Sequence, residues 1–249
     1  AIIGTISGST ISYGSEYVFN SATTYDISVS ALDSTHFVVG YRDSGNSYYG
    51  TAIIGTISGS TISYGSEYVF NSAATSYVSV SALDSTHTII AYRDEGNSNK
   101  GTAIIASISG STISYGSEYV FNSANTTAIS VSALGSDKAI IAYCDNGNSY
   151  YGTAIIASIS GSTISYGSEY VFNSAATGDC SVAVLGSDKV IIAYHDGGNS
   201  YKGTAIIATY TPPSVGPANV KTYKGLAAAS VKTCKGLAIA SVKSKKGLA

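Results

Sequence analysis

Tryptophan and methionine are absent from the 249 residues, and only three prolines and three cysteines occur. Charge is scarce as well, with Asp, Glu, Lys and Arg making up 11% of the chain. Each shortage excludes something. Three cysteines are an odd number without metal-ligand spacing, so they build no disulfide framework and leave the redox compartment undetermined. Cys180 fills the slot held elsewhere by Ile27, Val78 and Ile129 and reads as a small buried hydrophobe, Cys144 stands where Arg42, Arg93 and His195 stand, and Cys234 lies in the C-terminal segment. No apolar run approaches the roughly 20 residues that span a bilayer. No stretch of residues 52–102 has helical periodicity. The sequence opens without Met and without a signal-peptide pattern, which reads as a processed or trimmed form.

What is present is repetition. The unit starting Ala-Ile-Ile begins at Ala1, Ala52, Ala103 and Ala154, a period of 51 residues, and a fifth start at Ala205 breaks off after one strand. A period in this range means a propeller, a solenoid or an array. In the copy from Ala52, four strands are predicted: A over 51–57, B over 61–70, C over 78–83 and D over 88–92. Ser58-Gly59-Ser60 turns A into B, and Gly65-Ser66 interrupts B as a bulge or bend. In C, Val78, Val80 and Ala82 share one face and Ser79 and Ser81 the other. Strand D, through Ile89-Ile90-Ala91, is apolar enough to be covered on both faces.

The predicted fold is therefore all-β, a β-propeller of four-stranded blades. The longest connection, Asn71 to Tyr77, is expected to cross between blades, which makes each blade C-D-A-B. Three blades then close at about 27–72, 78–123 and 129–174, and a fourth takes C and D from 180–194 and A and B from residues 1–20, sealing a four-bladed ring. Residues 205–210 match 1–6 at four of six positions and fit the same slot. The sequence leaves open whether that strand lies unused, adds to an edge or pairs with another molecule.

The organisation reads as repeats over 1–210, a Pro-rich linker over 211–219 and a basic tail over 220–249. Residues 1–210 carry fifteen acidic and six basic groups, a net of −9, whereas 211–249 carry seven Lys and no acid. An acidic body disfavours nucleic acid as a partner. The tail repeats every 11 residues, from Lys221 and again from Lys232. Gly225, Gly236 and Gly247 oppose a stable helix there at about 1 kcal/mol each, so short β-turn units or disorder until assembly are expected. Contact of this basic segment with a membrane is the competing reading.

The D–A loops read Asp43-Ser44-Gly45-Asn46-Ser47-Tyr48, with copies starting at Asp94, Asp145 and Asp196. They resemble the Asp-box turn, S-x-D-x-G-x-T-W, of the bacterial-neuraminidase-repeat propellers, although the leading Ser and the Trp are missing. Asp43, Asp94, Asp145 and Asp196 are expected to accept N–H bonds within the turn, and Gly45, Gly96, Gly147 and Gly198 to supply a positive φ. In the C-D-A-B frame the turn falls between the second and third strands, whereas the family has it between the third and fourth. The whole repeat resembles propeller arrays of phage tail and bacterial surface proteins, which implies an extracellular, cell-surface or virion location. Sialidase activity in the family depends on three arginines gripping a carboxylate. Here only Arg42 and Arg93 stand in equivalent places, with Cys144 and His195 in the others, and the chain is expected not to be an enzyme.

Asp33-Ser34-Thr35-His36 and Asp84-Ser85-Thr86-His87 hold the residue types of a hydrolytic triad, but four successive residues on one hairpin read as a polar turn. The Asp-Gly-Asn-Ser loops supply one turn aspartate each, with Glu95 added in the second, and lack the D-x-D-x-D density of a calcium site. No metal and no cofactor is expected. Asn125-Thr126-Thr127 is a glycosylation sequon.

Differences between copies are more informative. Residues 6–22 recur unchanged at 57–73, 108–124 and 159–175. Changes gather in the B–C connection, the C–D turn and the D–A region, and the first and last open on the same face. A variable loop face on a constant scaffold suits binding, although drift after duplication gives the same pattern. The candidate binding residues are Tyr25, Arg42, Tyr48, Tyr49, Arg93, Tyr150, His195 and Tyr201, since Tyr stacks on a sugar face and Arg bonds hydroxyls. The expected partner is a surface glycan or protein ligand. A filament or ring built through the spare strand or the tail is the alternative.

Overall fold

A computed structural model describes residues 1–186, 188–209, 222, 223, 226 and 227. The chain divides into two units, Ala1–Tyr210 and Thr211–Ala249. The first is all-β. Its strands are β1 (Ile2–Ser7), β2 (Thr10–Glu16), β3 (Thr24–Ala31), β4 (His36–Asp43), β5 (Tyr49–Ser58), β6 (Thr61–Ala82), β7 (His87–Asp94), β8 (Lys100–Ser109), β9 (Thr112–Tyr115), β10 (Tyr119–Gly135), β11 (Lys138–Asp145), β12 (Tyr151–Ser160), β13 (Thr163–Tyr166), β14 (Tyr170–Val184), β15 (Lys189–Asp196) and β16 (Lys202–Thr209). In the second unit β17 (Thr222–Tyr223) pairs antiparallel with β18 (Leu226–Ala227). The linker, most of the tail and Cys234 lie outside the described residues.

Strand pairing follows the C-D-A-B order. β3, β4, β5 and the first half of β6 form one such sheet. The second half of β6 then pairs with β7 to start the next. β10 and β14 are shared between neighbouring sheets in the same way. The predicted B–C loop is thus a strand. Chain that stays extended can keep its backbone bonds, with Ala74 opposite Tyr49 and Thr75 opposite Asp94. One left-handed residue per copy, Asp26, Tyr77, Ala128 or Asp179, lies in the register shift just after strand C begins to pair with D. The bend expected at Gly65-Ser66 has its counterpart in the gap between β9 and β10.

The ring closure is not found. β16, not β1, lies beside β15. β1 and β2 pair only with each other and lie off the long ladder. Their Ile3, with Tyr17 and Phe19 beyond β2, packs instead over Phe37, Val39, Tyr41, Ile53 and Ile62 of the first blade. A strand sequence that occurs at both ends fits one slot only, and β16 reaches its slot by a short hairpin from β15.

The cores lie between blades. Strand D alternates two apolar sets, so Ile90 and Tyr92 of β7 face the first blade while Ile89 and Ala91 face the third. All four are fully buried, as a strand covered on both faces must be. The C strands line up from blade to blade through their serines. Val80 N–H donates to Ser28 Oγ at 3.0 Å, Val131 N–H to Ser79 Oγ at 3.0 Å, and Val182 N–H to Ser130 Oγ at 3.1 Å. These bonds satisfy edge donors that the ladder leaves free. Tyrosine ties each blade internally, with Tyr41, Tyr92 and Tyr143 donating to Glu67, Glu118 and Glu169 at 2.6, 2.6 and 2.7 Å. Burial, reinforced by those carboxylates, holds the three phenols well above the usual tyrosine range.

Candidate binding edge on the D–A turns

Each D–A turn is a short 3-10 segment capped by its aspartate. Asp43 Oδ1 accepts from Gly45 N–H at 2.9 Å, and Asp94 Oδ1 from Gly96 and Asn97 N–H at 3.0 and 3.2 Å. Asp145 and Asp196 repeat the bond to Gly147 and Gly198. The positive φ sits elsewhere than expected. Ser47 and Tyr48 hold it, at 54° and 62°, and so do their counterparts in every copy. The glycine is needed for space instead, since a Cβ on Gly96 would stand 2.5 Å from that of Ala73. The turn lies between the second and third strands of a blade, as the C-D-A-B frame requires and unlike the Asp-box family.

The aspartates also lock neighbouring blades. Asn71 Nδ2 donates to Asp94 Oδ1 at 3.1 Å, Asn122 to Asp145 at 2.9 Å and Asn173 to Asp196 at 3.1 Å. The B–C crossing lies against the D–A turn, with Thr75 N–H donating to the Tyr48 carbonyl at 3.0 Å and Ser44 N–H to the Thr23 carbonyl at 3.1 Å. Both variable segments therefore do open on one edge of the array.

In the first copy, pairing sets Tyr25 opposite Arg42. The guanidinium lies 4.6 Å from the centre of the Tyr48 ring and 5.9 Å from that of Tyr25. The rings themselves are 6.4 Å apart. Arg42 is thus held between two tyrosines that remain 47% and 44% exposed. Its Nε is buried without a protein acceptor. Tyr49 opens β5 opposite Asp43 and does not join this group through any aromatic or cation contact.

In the second copy, Arg93 Nε donates to Ser76 Oγ at 2.9 Å and Nη2 to Glu95 Oε1 at 3.0 Å, and the guanidinium lies 4.9 Å from the Tyr77 ring centre. Glu95 also faces Arg42 Nη2 of the preceding blade at 3.8 Å. Burial raises the Glu95 pKa, but hydrogen bonds from Arg93 and Ser76 and the two arginine charges outweigh it and hold the group below its usual range. The third copy replaces arginine by Cys144, whose thiol donates to the Tyr150 carbonyl at 3.4 Å. Burial pushes the Cys144 thiol up and the Cys180 thiol up to about 12. The fourth sets the His195 ring 5.0 Å from Tyr201.

The structure thus joins Tyr25, Arg42 and Tyr48 in one group, pairs His195 with Tyr201, and places Arg93 and Tyr150 at the matching points of their copies. Ser76, Tyr77 and Glu95 were missed by sequence reasoning. They align with Tyr25, Asp26 and Ser44, so the copy-to-copy differences already marked their positions. The Asp33–His36 and Asp84–His87 segments are local turns, with Thr35 N–H and the His36 ring both on Asp33. Among the described residues no three His, Cys, Asp or Glu side chains are placed to hold a metal ion.

No protein-family model and no curated protein matches the sequence. Solved structures do. The chain aligns with a mutant NanB sialidase from Streptococcus pneumoniae at a TM-score of 0.54 and 14% identity, over 72% of this chain and 30% of that one. The same sialidase in complex with a benzylammonio-ethanesulfonate aligns equally, at 0.54 and 14%, over 72% and 30% of the two chains. A mutant Aleuria aurantia lectin in complex with alpha-methyl-L-fucoside aligns at 0.54 and 12%, over 86% of this chain and 72% of that one. The chain thus spans less than a third of the sialidase's length. The expectation that it is not an enzyme is overturned, because the fold it shares at this distance is one that a sialidase uses. The shared property is a propeller-like all-β fold, common to a sialidase and a fucoside-binding lectin.

Proposed function

We propose that the chain recognises a surface glycan along the edge that carries the D–A turns. The observation behind this reading is the Tyr25–Arg42–Tyr48 group, two half-exposed rings flanking a guanidinium. Tyrosine faces stack on the apolar side of a pyranose, and arginine and asparagine bond its hydroxyls. The matching points in later copies, Arg93 with Tyr77, Tyr150, and His195 with Tyr201, supply related but unequal contacts at one-period spacing. A row of unequal stations favours an extended or multiply presented ligand, because linked weak contacts add through effective concentration. The fold likeness to a sialidase and to a lectin bound to a fucoside is in keeping with a carbohydrate partner. This reading goes with a cell-surface or virion-exterior location.

A glycan array probed with the full chain tests it. Binding to at least one glycan class is expected, with Tyr48→Ala and Tyr25→Ala each weakening it by roughly 3- to 30-fold while the melting temperature stays unchanged. An array without a bound glycan, or binding indifferent to both substitutions, refutes the reading.

A further inference from the structure

The two ends of the repeat array present the two halves of the seam that joins its blades internally. In the interior, the C-strand residues Val78, Val80, Ile129 and Val131 are 6–7% exposed. Their first-copy equivalents, Ile27 and Val29, are 57% and 63% exposed. At the other end Leu185 and Ile207 are 58% and 62% exposed, whereas their equivalents Leu83 and Ile105 are 8% and 0% exposed. The polar half of the seam is also divided. Each interior C strand donates Val N–H to a serine of the preceding blade. By the same step of one period, Val29 N–H is the donor left over at the first end, and Ser181, which is exposed, is the acceptor left over at the last.

The strands match as well. The last blade holds C, D and A as β14, β15 and β16, and among the described residues no strand pairs with the outer edge of β16. The missing B strand is β2, which leads into β3 as the first half of β6 leads into the second. β2 is paired with β1, whose sequence β16 repeats. Ile207 is the counterpart of Ile3, the β1 residue that packs on the first blade.

We propose that the chain associates head to tail with a second copy of itself. β14, β15 and β16 of one copy take β2 of the next as their fourth strand, β16 replaces that copy's β1, and Ile27 and Val29 close against the face carrying Leu185 and Ile207. The interface is heterologous, so it propagates into a ring or an open chain of copies.

Sedimentation analysis of the full chain tests this, using two paired variants. Ile27→Asp with Val29→Asp disables the first end, and Leu185→Asp with Ile207→Asp the last. All four side chains are exposed in the single copy, so both proteins keep the native circular dichroism and melting temperature. The unmodified chain is expected to self-associate with rising concentration, and each variant alone to do so at least tenfold more weakly. Mixing the two variants restores a one-to-one dimer and nothing larger, because each retains the end the other lacks. An unmodified chain that stays monomeric at all concentrations overturns the proposal, whether the chain closes on itself or its own C-terminal segment covers the last blade. A mixture of variants that stays monomeric overturns it equally.

Discussion

The same residues behave differently at the first blade and in the interior. Asn71, Asn122 and Asn173 each clamp the turn aspartate 23 residues ahead. Asn20 and Asp43 are the identical pair one period earlier, yet Asn20 Nδ2 is buried without an acceptor. In the interior, β5 begins at Tyr49, which pairs with Ala74, and Gly50 pairs with Asn71, so the asparagine is held in place before it reaches its aspartate. In the first copy residues 17–23 are not strand, so Asn20 lacks the pairing that holds Asn71. The clamp is therefore a property of neighbouring strands as much as of the two side chains that make it.

Three measurements sharpen that contrast. The largest effect is expected from Phe121→Ala. This ring is 5% exposed, packs tilted against Tyr143 with the ring centres 5.1 Å apart and fills the space that Gly101 leaves open, and its loss costs about 3–5 kcal/mol in urea unfolding. Phe19→Ala, the same change over the first blade, costs less than half as much, because Phe19 is only partly buried. An equal loss at both positions would show that the ends are packed like the interior.

Next is Asn122→Ala, which strips a donor from Asp145, a buried carboxylate, and costs about 1–3 kcal/mol. Asn20→Ala removes no such bond and costs under about 1 kcal/mol, chiefly through the Ala22 N–H that Asn20 caps. The smallest effect concerns Glu95. Its pKa is depressed in the folded chain, so its contribution is present above the unfolded value and is lost as pH falls through the folded one. Glu95→Gln should flatten the acid limb of the stability curve below about pH 4, by at most about 1 kcal/mol for this partly exposed group. A limb unchanged by the substitution would mean that the arginines do not hold the carboxylate.

Much of this was legible in the letters. Alternation in Val78–Ala82 and the apolar run Ile89–Ala91 fix the faces of C and D, and the length of the B–C connection fixes the blade frame. What was not legible depends on geometry between copies. The crossing at residues 71–77 reads as loop because its partners are Tyr49 and Gly50 of the preceding copy and then Arg93 and Asp94, far along the chain. The failure of β1 to join β15 depends on β16 taking that slot, which no local pattern states. At the binding edge, copy-to-copy variation marked Arg42 and Tyr48. Glu95 escaped because its partners Ser76 and Arg93 meet it only once strands C and D pair, and Tyr49 was included because sequence adjacency does not reveal which side of a strand a ring takes.

Strands that belong to two blades at once have an evolutionary corollary. β6, β10 and β14 begin in one blade and end in the next without an intervening linker. A misaligned crossover between gene copies that removes one period, with breakpoints anywhere inside two of these strands, splices matching halves and leaves a continuous strand behind. Copy number can then drift while every junction stays native, and selection is free to act on the edge residues of each copy separately.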